Sequence, residues 1–390
     1  MARIHTLQQK LHAKGIDGMV IAQNVDVYYF TGSMQTGYFI VPAQGEPVFY
    51  VRRSVIRAQE ESAVQVEALT TLRGFGSSLK LAFPAWYTAG KSPVIAAEFD
   101  VLPVQVFQRL QSVLPGCQWV DGSLLVREAR MIKSPVELAW IREAARVIDV
   151  AFQKALDRIK PGLTELELLA FIELAVRLEG HLGLMRMRGF NQETVTGMVG
   201  AGEAAAKPTY FDGPAGGLGL SSACPQTASR RPIRAGEPIL VDIGCCIEGY
   251  VVDQTRTVVI GSLEDELTRA YEAAEQILHS TEALLKPGTV CEDLYTQSLR
   301  MAAEYGLSEH FMGFGADQVK FLGHGIGLEI DEFPVLAKGF AYPLEPGMVL
   351  AIEPKFTFPG RGVVGIENNY AITEQGYEKL TRTREGLIRL

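Results

Sequence analysis

Two stretches in the second half of the chain read as β-hairpins, and each carries a pair of carboxylates inside strongly apolar strands. Pro238–Ile260 reads as strand, turn and strand, with its turn near Ile247–Gly249, where Gly249 supplies the backbone freedom a tight turn needs. Mirror positions about Ile247/Glu248 bring Asp242 and Asp253 close to opposite one another, on one face of the hairpin. Met348–Glu353 and Gly365–Thr373 behave the same way about Gly360, which sets Glu353 against Glu367. The alternative is a solvated hairpin face. Against it stand the neighbours Ile239, Leu240, Val241 and Ile243 in one hairpin, and Leu350, Ala351, Ile352 and Ile366 in the other. Four acids converging in a core cannot all be buried ionised without a cation. The pattern therefore predicts a metal site, and one for two ions. His324, between glycines in Gly323-His-Gly-Ile-Gly327, is the imidazole best placed to join it. Taken alone, a lone histidine is as easily a core residue.

At 390 residues the chain has room for two domains. A net charge of −8 with no basic stripe argues against nucleic acid as a partner. No apolar run reaches the roughly 18 residues that span a bilayer. The start, Met1–Leu11, reads as an amphipathic helix rather than a signal peptide. The five cysteines lack zinc spacing and read as reduced thiols in the cytoplasm, and the lack of a spanning run gives the expectation of no membrane partner.

Residues 1–127 alternate short strands (Gly18–Ala22, Gly37–Val41, Glu46–Val51, Val94–Ala97) with helices (Val55–Glu61, Val104–Leu114). This is an α/β domain without a catalytic cluster of its own, bounded by the charged stretch Arg127–Lys133. Residues 128–390 follow a more regular grammar. Ser134-Pro-Val-Glu137 is a capping box that opens a long helix to about Ile159, stopped by Lys160-Pro-Gly162. Thr164-Glu-Leu-Glu167 caps a second helix, which ends near Gly180. Later a long helix from about Glu264 to Leu285 meets the stop Lys286-Pro-Gly288, and Thr289-Val-Cys-Glu292 caps another that closes near Gly306. Each helix pair is followed by an acid-bearing hairpin. The expectation is an internal duplication with pseudo-twofold symmetry and the metals between its halves.

These motifs resemble those of the pita-bread metallopeptidases, the family of prolidase, aminopeptidase P, methionine aminopeptidase and creatinase. The likeness lies in Val241-Asp-Ile-Gly244 with Gly249-Tyr-Val-Val-Asp-Gln-Thr-Arg-Thr257, in Gly323–Pro334, in Gly347–Pro354, and in Ile366-Glu367. Val25–Gly32 is similar to part of a creatinase-type N-terminal domain, which methionine aminopeptidases generally lack. The implied fold is α/β: a pita-bread domain over 128–390 behind a smaller creatinase-type domain over 1–127. The resemblance implies Asp242, Asp253, His324, Glu353 and Glu367 as ligands of two divalent ions, chosen among Mn, Co, Fe and Zn. It also implies Glu353 as the residue that relays a proton for a metal-bridged hydroxide, and a homodimer. Thr255, on the strand face of Asp253, is placed to support a ligand through a hydrogen bond.

Three positions depart from the family's pattern. Gln226 stands where a histidine follows a proline, Asp331 where a second histidine follows the first, and Gly365 where many members carry arginine. Gln226 can donate to a developing oxyanion but cannot shuttle a proton, and Asp331 could act as a base or hold a cationic group, so both read as substrate-binding residues. The Gly-rich stretch Phe211–Leu220 is either a substrate loop or a plain connection. His181, His279 and His310 read as structural or surface residues. The function implied first is a metal-dependent peptidase of Xaa-Pro dipeptidase or aminopeptidase type, acting on small peptides. A hydrolase or lyase using the same site on a small non-peptide substrate, a cationic one among the candidates, stands second, and a binding module without chemistry third.

Overall fold

The computed structural model describes residues 2–88 and 90–390. Met1, which the sequence reading places in the first helix, lies outside the described residues; that helix runs Ala2–Ala13. The chain forms two units. One holds the described residues up to Arg130 together with Arg188–Phe190, and the other holds Met131–Met187 and Asn191–Leu390.

The first unit is built on a six-stranded sheet of β1 (Gly18–Ile21), β2 (Gly37–Pro42), β3 (Val48–Val51), β4 (Gln65–Ala68), β5 (Val94–Ala97) and β6 (Gln118–Asp121), in the order β4-β3-β2-β1-β5-β6. β1, β2 and β3 pair antiparallel, and the outer pairings are parallel. The helices Val55–Glu61 and Val104–Val113 lie where the sequence places them. The edge strands β4 and β6 are additions to the sequence reading. Their side chains are mostly exposed or half-buried, so they carry little apolar alternation. A buried charge cluster closes the unit: Arg130 and Arg188 each hold one oxygen of Asp26, at 2.6 and 2.5 Å, and Arg188 also holds Asp100 at 2.6 Å.

The second unit begins with two helices, Pro135–Leu156 and Glu165–Leu178, each opened by a complete capping box, at Ser134/Glu137 and Thr164/Glu167. β7 (Gly197–Ala201), β8 (Pro238–Ile247) and β9 (Tyr250–Val259) follow. A second helix pair, Asp265–Glu282 and Cys291–Glu304, precedes β10 (Phe321–Gly325), β11 (Glu332–Ala337), β12 (Val349–Ile352), β13 (Lys355–Phe358), β14 (Gly362–Gly365), β15 (Asn368–Thr373), β16 (Gly376–Lys379) and β17 (Ile388–Arg389). They form sheets ordered β17-β9-β8-β7 and β11-β10-β12-β15-β16, with β13-β14 as a separate ribbon.

The duplication is written in backbone hydrogen bonds. After the first Lys-Pro-Gly stop, the amides of Gly162, Glu165 and Leu166 donate to the carbonyls of Ile233, Arg231 and Ser229. After the second, Gly288, Cys291 and Glu292 donate in the same spacing to Leu344, Tyr342 and Phe340. Thr164 bridges Pro232, and Val290 bridges Pro343. The match corrects one expectation: the residue equivalent to Thr164 is Val290, not Thr289. Val290 is the N-cap and has no side-chain cap bond, while the Thr289 hydroxyl turns back to the Leu284 carbonyl at 2.7 Å. That hydroxyl closes the preceding turn instead of opening the next helix.

The first hairpin also differs in register from expectation. Its two-residue turn is Glu248-Gly249, both at positive φ (51° and 89°), the geometry that matches the twist of antiparallel strands. Asp242 therefore pairs with Thr255, and Asp253 with Gly244. A shift of two residues keeps side-chain parity, so both carboxylates stay on one face as diagonal neighbours. The second hairpin has the register read from sequence. Phe358 pairs with Gly362, Lys355 with Gly365, and Ile352 with Asn368 further out. Between those ladders Pro354 has no N–H to give, and the Glu353 amide turns to the Leu322 carbonyl. Glu353 and Glu367 occupy this interruption.

Candidate metal centre

Ligand atoms of five side chains converge in two groups that share Glu367. Asp253, His324 and Glu367 form one, and Asp242, Glu353 and Glu367 the other, with the atoms of each group within 4.8 Å of one another. β8 and β9 deliver the two aspartates, β10 the histidine, and the break beside Pro354 the two glutamates. His324 Nε2 points inward, 3.8 Å from Asp253 Oδ2 and 3.7 Å from Glu353 Oε1. Its Nδ1 lies 3.1 Å from the Gly325 carbonyl and 3.4 Å from Asp331.

Neighbouring side chains fix these groups. Thr255 donates to Glu367 Oε2 at 2.7 Å, and its own carbonyl accepts from the Glu367 amide. Asn369 donates to Asp253 Oδ1 at 3.0 Å. Arg256, fully buried, holds the Glu367 carbonyl at 2.7 Å. Gln226 and Asp331 face the same cavity of about 100 Å³ as the five converging residues, and Phe211–Gly216 of the Gly-rich stretch lines it too. Gln226 donates to the Tyr210 hydroxyl at 3.3 Å, while Asp331 is partly exposed. The other histidines stand elsewhere. His181 accepts from the Cys246 amide, His279 pairs with Glu385 at the surface, and His310 stacks on Phe358.

Asn369 and Arg256 were not read from the sequence as site residues, and the cation at the middle of the site was missed as well. The Lys355 side chain has no exposed surface, and its ammonium lies 2.5 Å from Glu353 Oε2 and 3.2 Å from both Asp242 Oδ2 and Glu367 Oε2. A signal for it exists. Lys355 stands two positions beyond Glu353, hence with the same strand parity, in the otherwise unbroken run Lys355-Phe-Thr-Phe358.

Charge and burial compete throughout. Burial pushes the Asp253 carboxyl well up and Glu367 adds to it, with His324 opposing. Burial raises Asp242 and Glu353 too, against the pull of Lys355. Burial disfavours the His324 imidazolium, but Asp331, Asp253, Glu353 and Glu367 outweigh it and lift the group to about 10. Lys355 behaves likewise: desolvation is overcome by Asp242, Glu353 and Glu367, which hold the ammonium well above its ordinary value.

The two groups differ in how they fit a divalent ion. Two carboxylates and an imidazole at Asp253, His324 and Glu367 are a donor set that Mn, Co, Fe and Zn all accept. The three carboxylates of the other group already converge on an ammonium.

A two-unit chain with a carboxylate–histidine centre in its larger unit has the design of a metal-dependent hydrolase. Residues 139–374 match the model of metallopeptidase family M24, and residues 3–132 match the creatinase/prolidase N-terminal domain. The chain belongs to the metallopeptidase family M24. It is 27% identical to an Xaa-Pro dipeptidase of Pyrococcus horikoshii, over 99% of this chain and 98% of that one. It is 28% identical to a probable dipeptidase of Mycobacterium bovis, over 96% and 92%. Among solved structures it resembles the prolidase of Pyrococcus horikoshii OT3 (TM-score 0.82, 26% identity, all of both chains). It also resembles an Xaa-Pro dipeptidase of Bacillus anthracis (TM-score 0.84, 25% identity, 100% and 99%). The α/β fold with a creatinase-type N-terminal part and an M24 C-terminal part is therefore as the sequence implied. Among the described residues no helix is long and apolar enough to cross a membrane.

Proposed function

We propose that this chain is a metal-dependent Xaa-Pro peptidase of dipeptidase type, cutting small peptides in the cavity over Asp253, His324, Glu353 and Glu367. The observation that carries the reading is the convergence of those side chains on one face of that cavity. A divalent ion held by Asp253, His324 and Glu367 would supply Lewis-acid polarisation of the scissile carbonyl and a more acidic water. Glu353 has one oxygen tied to Lys355 and the other toward His324, so Oε1 is the atom free to take and return a proton. Gln226 is set to donate to a carbonyl or oxyanion, and Asp331 to receive a substrate amine. Thr255 orients Glu367. The catalytic assignment covers the domain over 128–390, with 1–127 as the creatinase-type domain. Cytoplasmic location is supported by five free thiols, three of them buried. Homodimer formation rests on the family resemblance and is checked by sedimentation.

The test is hydrolysis of dipeptides and tripeptides with and without proline in second position. The protein is stripped and reloaded with Mn, Co or Zn, with Asp253→Ala alongside. Cleavage before proline by the reloaded wild type alone is expected. One observation favours a second reading, a small cationic non-peptide substrate: the cavity is only about 100 Å³ and carries Asp331 on its wall. Metal binding without any peptide cleavage would select it.

A further inference from the structure

We propose that the Lys355 ammonium is the built-in occupant of the Asp242–Glu353–Glu367 position, so that this chain binds one divalent ion and not two. The inference rests on the metallopeptidase reading for the remaining ion, at Asp253, His324 and Glu367.

The ammonium contacts one oxygen of each acid in that group, and those same acids would have to ligate a second ion. An ion there would need oxygens at about 2.0–2.2 Å, inside the volume that Nζ fills. It would also stand against a cation already paired three times. Lys355 has no solvent-exposed surface, so withdrawing the ammonium means breaking three ion pairs, two of them with the buried Glu353 and Glu367 and one with the half-buried Asp242.

The backbone accommodates this lysine. Its cross-strand partner is Gly365. A Cβ at position 365 would lie 2.6 Å from Lys355 Cγ and 2.6 Å from the Pro354 carbonyl oxygen. Gly365 does not adopt the left-handed conformation that favours glycine, so what the position lacks is room for a side chain. The lysine stem and the missing side chain opposite form one unit. Held there, Lys355 is a positioning residue. It ties down Glu353 Oε2 and leaves Oε1 toward the cavity.

The experiment is metal stoichiometry by elemental analysis after stripping, reloading with Mn or Zn and exhaustive dialysis. Anomalous diffraction at the metal edge locates each ion, and circular dichroism monitors folding. The proposal expects one ion per chain in the wild type, lost in Asp253→Asn, and two in Lys355→Ala. Lys355→Met, which keeps the bulk without the charge, should stay at one. Two ions in the wild type would overturn the proposal, whatever the variants do. A folded Lys355→Ala with no more metal than the wild type would overturn it equally. If the wild type holds none and Lys355→Ala gains one, the lysine assignment stands and the metallopeptidase reading fails.

Discussion

Lys355→Met in the chelator-treated protein isolates what the ammonium contributes to the fold. Methionine fills about the same volume as the lysine stem, so packing against Gly365 changes little while the charge disappears. Three carboxylates then face one another without their cation: Glu353, which loses a 2.5 Å contact, and Asp242 and Glu367, each losing one at 3.2 Å. Removing one partner from a buried ion pair costs about 3–5 kcal/mol, since the other charge is left uncompensated. For a domain of this size each kcal/mol moves the unfolding midpoint by about 2 °C, so a drop of about 6–10 °C is expected.

Calorimetry at pH 7.5 with excess chelator reads the drop directly. Lys355→Ala should lose at least as much, and divalent metal should then restore it. At a free concentration a hundredfold above Kd, each site adds about 2.7 kcal/mol, so the alanine variant gains twice what the wild type gains. A chelated Lys355→Met melting within about 2 °C of the wild type would refute the reasoning, because the acids would then be shown not to depend on the ammonium.

Thr255→Val removes the 2.7 Å hydrogen bond to Glu367 and should weaken metal binding about 10-fold, as read by chelator competition. Gly365→Ala forces a Cβ to 2.6 Å from Lys355 Cγ and should cost about 1–3 kcal/mol in urea unfolding. Most of that cost should persist in a Lys355→Ala background, because the contacts with the Pro354 carbonyl oxygen at 2.6 Å and Lys355 Cα at 2.8 Å are to backbone. Glu98, buried beside Asp26, has its carboxyl pushed well up by burial and by that negative charge. A carboxyl raised in the folded state favours folding at low pH and loses that contribution as pH rises above about 4.5. Glu98→Gln keeps an acceptor for the amides of Ala22 and Gln23, so its melting advantage over the wild type should widen from pH 4 to pH 8.

What could be read in the sequence was what is local. Capping boxes at Ser134/Glu137 and Thr164/Glu167 are complete within four residues, and each Lys-Pro-Gly stop is read from three adjacent residues. Register about Gly360 was legible because Pro359 and Gly360 mark the turn. Register of the first hairpin was missed by two because its tight turn places a glutamate, Glu248, at positive φ, and a sequence gives little sign of that. Arg188–Phe190 joins the first unit by ion pairs to Asp26 and Asp100, a connection that no periodicity announces. Lys355 was passed over for another reason. A lysine in a strand ordinarily marks a solvent face, and only its parity with Glu353 argued otherwise.

Charge at the centre ties Lys355 to the choice of substrate. Asp242, Asp253, Glu353 and Glu367 bring four negative charges when ionised. Lys355 returns one and a single divalent ion two, which leaves the centre one negative charge in excess. Asp331, on the wall of the same cavity, adds another. Part of that excess can be met by a proton on Glu353. The rest attracts a cation from the substrate, and a peptide's free amino terminus is one. N-acetylation removes that charge at the cost of only a few atoms. An Xaa-Pro dipeptide that is cut should therefore lose at least about 10-fold in kcat/KM when acetylated, the scale of one charge-assisted contact. Asp331→Asn should narrow the gap between free and acetylated forms by lowering the first and sparing the second. Equal rates for the two forms in the wild type would show that the excess charge is neutralised within the protein, and Asp331 would then lose its assigned role.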